Sequence, residues 1–246
     1  LVRVGWAAGE GEPARVAVPR NQLIEVLGQL ADPAVVAESR RRYAASATDP
    51  TAIPAPLRKS ILGVVAAHAD AATWDRLHAA ALAETTPLVK DRLYLLLAST
   101  EDETLARRAL ALALTSEPRK TTTASMIGTV SDRHPDLAFD FAMANRAAVE
   151  QRIDPPSRSR YFPRLGARSA DPAMVEKIRA YARAHLPATA RGDAETAAVG
   201  VEDLIRVRRE RLPEIDAWVA KRQAPLAPEL PVVGELRGRE SGRSAY

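Results

Sequence analysis

"HPDLAFDFAMANR", residues 134–146, decides how the rest of the chain is read. Leu137, Phe141, Asn145 and Ala148 follow one stripe at three- and four-residue steps. Phe139 and Met143 form a second stripe about 160° away around a helical wheel. A helix apolar on two flanks packs between neighbours on both sides, as the helices of a repeat array do. The spacing predicts one helix over "PDLAFDFAMANRAAVEQR", with Phe141 in the core and Met143, flexible and unbranched, as gap filler.

Working outward, the same construction recurs. "ADPAVVAESRRRYAASA" opens at Asp32-Pro33 and carries Val35, Val36 and Tyr43 on its apolar side. "PAPLRKSILGVVAAH" places Leu57, Ile61, Leu62 and Val65 at helical spacing. "DAATWDRLHAAALAE" puts Trp74, Leu77, Ala81 and Leu82 on one face, with Asp70 as the cap. "EDETLARRALALALTS" has an acidic first turn suited to the helix dipole. Further starts fall near 87, 121, 157 and 171, and a last helix, "AETAAVGVEDLIRVRRERLPEIDAWVAKR", should be kinked or divided at Pro213. Proline sits repeatedly at a helix start, where its missing N–H costs nothing. Helix pairs at roughly 30–40 residues predict an all-α fold, an α-α superhelix of antiparallel pairs like the HEAT and armadillo solenoids. The repeat is one of architecture; no shared side-chain consensus is read from the sequence.

Composition limits what such an array does. The chain has 246 residues, 46% hydrophobic and 27% charged, ordinary for a globular domain. It has no cysteine, which excludes a disulfide scaffold, thiol catalysis and Cys-liganded zinc, and fits a reducing, cytoplasmic setting. No apolar run approaches the ~20 residues of a membrane span. The net charge is +4, but nine Lys/Arg against six Asp/Glu lie from Arg206 onward, so +3 of it is terminal. The balanced remainder argues against a nucleic-acid partner.

Chemistry is sought and not found. His68, His78, His134 and His185 make no His-Glu-x-x-His pair and read as structural groups near helix ends. No Gly-x-Ser-x-Gly elbow and no phosphate-binding glycine loop occur. "FAMAN" approaches the Gly-x-Met-Glu-Asn box that binds a peptide's free amine in zinc aminopeptidases. Phe141 and Ala144 stand where that box needs Gly and a carboxylate, so the segment is packing. Trp74 and Trp218 both sit on apolar helical stripes and are expected in the core. "SRSRYFPRLGAR" differs: Arg158, Arg160, Arg164 and Arg168 accompany Tyr161 and Phe162 with no acid among them, a set able to bind carboxylates. Catalytic and metal residues are therefore assigned to none, and the arginine set reads by default as a solvated helical face, with carboxylate binding in a groove as the alternative.

"TWDRLHAAAL", "KDRLYLLLASTEDETLARRALALAL", "RHPDLAFDFAMANRAAVEQR" and "RRERLPEIDAWVAK" resemble, in order, the C-terminal helical domain of the gluzincin aminopeptidases, the puromycin-sensitive and endoplasmic-reticulum relatives of aminopeptidase N. Leu137, Ala138, Phe139, Phe141 and Asn145 fill the family's "hPxLAWxFxxxN" pattern, with Phe139 where relatives usually have Trp. Gly5, Trp6 and Glu10 are similar to its "GW…E" segment, and Trp218-Val219 to its terminal "WL".

The resemblance implies residues 1–222 as this helical domain, cut at its N-terminal side, followed by a flexible Pro/Gly/charged tail, 223–246. It implies a non-catalytic part of a zinc metallo-aminopeptidase. The helices would enclose the substrate cavity, bind peptide and select by size, with Arg160, Tyr161, Arg164 and Arg168 facing that cavity as candidate peptide-binding residues. The partners would be the catalytic domain of the same polypeptide and the peptides themselves. Zinc would belong to the parent enzyme, and this fragment would carry no cofactor. The competing reading is a free-standing helical scaffold for a protein partner.

Overall fold

The computed structural model describes residue 1, residues 4–7 and residues 11–223. Glu10 of the predicted "GW…E" segment and the predicted tail from Ala224 onward lie outside them. Two compact units divide the chain, Leu1–Leu204 and Ile205–Tyr246. No strand occurs among the described residues.

The helices of the first unit are α1 (Ala17–Gln29), α2 (Pro33–Ala45), α3 (Arg58–Ala67), α4 (Ala71–Ala83), α5 (Pro87–Ala98), α6 (Glu103–Ala113), α7 (Lys120–Ser131), α8 (Pro135–Ala144), the short α9 (Arg146–Glu150), α10 (Arg158–Gly166) and α11 (Pro172–His185). The last helix, α12 (Gly192–Gln223), begins in this unit. One line of helices packs in series, α1 on α3, α3 on α5, α5 on α7 and α7 on α10. The others bridge from a second line, α2 to α3, α4 to α5, α6 to α7 and α8 to α10, with α6 also on α8. Contact between every second helix, through short connections, is the solenoid arrangement.

A consensus absent from the sequence reading emerges here. Asp32, Asp70, Asp102 and Asp171 each cap a helix, accepting from the amides of Val35, Thr73, Leu105 and Ala173 at 3.0, 2.7, 2.9 and 2.9 Å. In α8 the N-cap is His134, which makes no side-chain cap bond, and Asp136 lies two residues on, within the first turn. The turn carrying each aspartate is bonded to the corresponding turn of the previous repeat. His68 Nε2 donates to Gly28 O (2.7 Å, 40 residues apart) and Glu101 N to Ala67 O (2.8 Å). His134 Nε2 donates to Thr100 O (3.1 Å, 34 apart) and Ser169 Oγ to Asp136 (2.6 Å, 33 apart). His68 Nδ1 also meets Glu101 at 3.1 Å, and Arg133 meets the same carboxylate at 2.5 Å. These bonds fix the stacking of repeats at one edge, beyond what burial alone specifies.

Most predicted faces are buried as expected. Leu57, Ile61, Val65, Trp74, Leu77 and Ala81 are core, and Trp74 Nε1 donates to Leu97 O at 3.1 Å. Leu82 instead lies 51% exposed near the end of α4. The helix expected over 135–152 stops at Ala144: the Asn145 side chain donates to Phe141 O at 2.9 Å, competing with the backbone ladder, and α9 restarts the chain. Its core stripe is Ala138, Phe139 and Ala142, not Phe141, which is only half-buried and faces a cleft between α6 and α8. Met143 is likewise half-buried.

The helix α1 has no counterpart in the sequence reading. It carries Ile24 into a cluster with Val35, Ile53, Leu57, Ile61, Val64 and Val65. It also carries the buried Arg20, whose guanidinium donates to Val4 O (2.8 Å) and pairs with Glu12. Gly5, at φ +62°, turns the segment under this arginine.

In the second unit the described residues continue as helix. Helix α12 runs through Pro213, where the sequence predicts a kink or division. Trp218 is not core: it is 54% exposed, with the Arg222 guanidinium 4.1 Å over its ring.

Candidate functional site

A helix in the α1–α3–α5–α7–α10 line has one side against its bridging partners and the other open. On the open side the line forms two clefts.

The first, about 300 Å³, lies between α7 and α10 and is lined by Ser125, Gly128, Asp132, Tyr161, Arg164 and Leu165 among others. Helix α10 forms because Phe162, Leu165 and Gly166 bury one side, leaving Arg160 and Arg164 outward while Arg158 is half-buried with its Nε enclosed. Gly166 lets α11 approach closely, since a Cβ there would stand 2.5 Å from Met174 Sδ. Tyr161 and Arg164 thus share the cleft. The Tyr161 hydroxyl is turned inward and donates to Ala124 O at 2.8 Å. Burial pushes its phenol well above the usual tyrosine value, against the opposing pull of Arg164, so it stays a neutral donor.

The other candidates are placed differently. Arg160 is exposed, reaches Ser157 Oγ at 3.4 Å and does not line the cleft. Arg168 follows the end of α10 and is 70% exposed; it faces Asp132 at 3.5 Å. The cluster that is acid-free in sequence therefore receives a carboxylate from α7 in space.

The second cleft, about 340 Å³, crosses α1, α3 and α5. Gly63, Val64, Leu95 and Leu96 contribute apolar surface, Lys59, Arg92 and Arg133 contribute cations, and Glu25 contributes one carboxylate. Sequence reasoning missed these residues. Lys59 and Arg92 lie 33 positions apart in different helices, and only stacking of α3 on α5 brings them to one groove. The only available signal was that neither cation has an acid at helical spacing on its own exposed face.

The histidines serve structure. His68 and His134 join repeats as described, and His185 ends α11 with its ring 5.3 Å from Tyr181. His78, expected near a helix end, sits within α4 and meets Glu117 at 2.7 Å. Among the described residues no group of three or more His, Cys, Asp or Glu is placed to hold a metal ion. Among the described residues no helix is long and apolar enough to cross a membrane.

Residues 1–202 match the family model described as the ERAP1-like C-terminal domain. The match ends close to the boundary of the first compact unit and leaves 203–222, with the expected Trp218-Val219 likeness, outside it.

Proposed function

This chain belongs to the ERAP1-like C-terminal domain family, and from that premise we propose that it is the non-catalytic helical part of a zinc metallo-aminopeptidase. On this reading its open helix line borders the substrate cavity, adds contacts to the peptide beyond the scissile bond, and selects by size. Its partners are then the catalytic domain of the same polypeptide and peptide substrates.

The observation that supports this best is the pair of clefts on one helix line, both with cations facing them. Lys59, Arg92 and Arg164 suit peptide carboxylates, and the Leu95–Leu96 surface suits an apolar side chain. Binding energy gathered away from the chemistry is expressible in the catalytic step. Arg160 and Arg168 act in this reading from the rim, Arg168 after exchanging Asp132 for a peptide carboxylate.

The test is fluorescence anisotropy of labelled peptides of increasing length on the 246-residue chain, followed by kcat/KM in the intact polypeptide. Arg92→Ala/Arg164→Ala should weaken peptides long enough to reach both clefts about 100-fold, near tenfold for each lost charge-assisted hydrogen bond, and leave the shortest unchanged. If that variant and Arg160→Ala/Arg168→Ala both bind every length as the parent chain does, the reading is wrong.

A further inference from the structure

The described helix of the second unit carries an exposed face that the peptide reading does not use. Val207, Leu212, Ile215 and Trp218 are each about half exposed, at 46, 46, 52 and 54%. Arg208, Arg211, Ile215, Trp218 and Arg222 follow one another at three- and four-residue steps, so they form a single line, with Val207, Leu212 and Val219 beside it. Glu210 and Asp216 fall about 120° from this line, and Glu214 flanks it on the side opposite Leu212. Arg211 reaches Glu214 at 3.1 Å in an exposed pair, a weak and exchangeable contact.

A helical protein partner, including a second copy, would have to desolvate Arg208, Arg211 and Arg222 in the seam, where this face offers an acid only to Arg211, through the exposed Glu214. Nucleic acid would match the arginines but leave the aliphatic side chains in water. An anionic lipid surface satisfies both sets at one depth: aliphatic bodies and the indole enter the headgroup boundary, while guanidinium groups reach phosphates at the same level. We propose that the 207–222 face docks on an anionic lipid surface, the helix lying in the headgroup plane. This goes beyond the peptide reading and does not depend on it.

The experiment is co-sedimentation of the 246-residue chain with phosphatidylcholine vesicles, with and without about one-third phosphatidylglycerol. Binding is expected only with the anionic lipid and should weaken with salt. Arg208→Ser/Arg211→Ser/Arg222→Ser should bind about 100-fold more weakly, near fivefold for each arginine. Leu212→Ser/Ile215→Ser should also lose binding, and Glu210→Gln should gain it. All these positions are exposed, so far-UV circular dichroism should not change. If the triple variant does lose helix, the salt titration and Glu210→Gln still decide. Absent binding, equal binding to neutral vesicles, or a dimer abolished by Ile215→Ser would overturn the proposal. So would binding of an RNA oligonucleotide that needs the arginines but not Leu212 and Ile215.

Discussion

Gly28→Ala is the substitution whose outcome the structure constrains most tightly. An added Cβ would stand 2.3 Å from Val64 Cγ2 and 3.3 Å from Val64 Cβ and Cγ1. Carbon atoms in good contact lie about 3.5–4.0 Å apart, so the overlap exceeds an ångström. Val64 is 3% exposed and β-branched within α3, so it has essentially one χ1 well and nowhere to swing. Relief requires α1 and α3 to separate, which also draws Gly28 O away from His68 Nε2. Overpacking of this kind costs about 1–3 kcal/mol. Replacing Gly by Ala in a helix returns up to about 1 kcal/mol, and less here because Gly28 is the next-to-last residue of α1. The net expectation is a loss of roughly 1–2 kcal/mol. Urea unfolding of the 246-residue chain should show a lower midpoint with an unchanged slope. In the double variant Gly28→Ala/Val64→Ala the new methyl occupies the space that Val64 vacates. A double-mutant cycle should therefore return a favourable coupling of about 1–2 kcal/mol. An unchanged or raised midpoint in the single variant, or strict additivity in the double, would refute the close approach of α1 and α3.

Trp74→Phe removes the indole N–H that donates to Leu97 O and reduces contact with Arg108, whose guanidinium lies 4.2 Å from the indole. A loss of about 1–2 kcal/mol is expected in urea unfolding. The Asp70 carboxylate is held below the ordinary 3.8 by the Thr73 hydroxyl and amide it accepts from. Its folded value is depressed, so its contribution is full above 3.8 and lost as pH falls through the lower folded value. Asp70→Asn keeps a cap at neutral pH and should flatten the acid limb of midpoint against pH; an unaltered acid limb would show that the cap does not depend on charge.

Two sequence features carried far. Periodicity over Leu57, Ile61 and Val65, and over Trp74, Leu77 and Ala81, identified core faces because a helix with one covered side repeats every three to four residues whatever it packs against. Prolines and aspartates marked starts because capping is settled within one turn. Where a face met two neighbours, the reading failed. Phe141 lies on a stripe as apolar as the one Phe139 shares with Met143, and only the positions of the neighbouring helices decide that Phe139 is core and Phe141 lines a cleft. Trp218 failed for the opposite reason: an apolar stripe states a capacity for burial, and in the second unit the described helix leaves that stripe exposed. The helix α1 was missed because its early residues, with Pro19 and Arg20 among them, lack an amphipathic signal. Arg20 is buried there by Val4, Gly5 and Glu12, which are distant in sequence.

The candidate site was legible only in part. Arg164 beside Tyr161 follows from local sequence, because one turn of α10 presents both. Asp132 opposite Arg168, and Lys59 beside Arg92, join residues from successive repeats, and no spacing within one helix encodes them.

By itself the sequence determined that this chain is helical, where most helices begin, and which family it belongs to, because caps and amphipathic periods are local and survive without a partner. The tertiary structure alone decided which apolar stripes are covered, how His68, Glu101, His134 and Ser169 tie one repeat to the next, and which cations share a groove. Those properties depend on the offset between stacked helices, which is set by side-chain volume and by close approaches such as that of Gly28 to Val64.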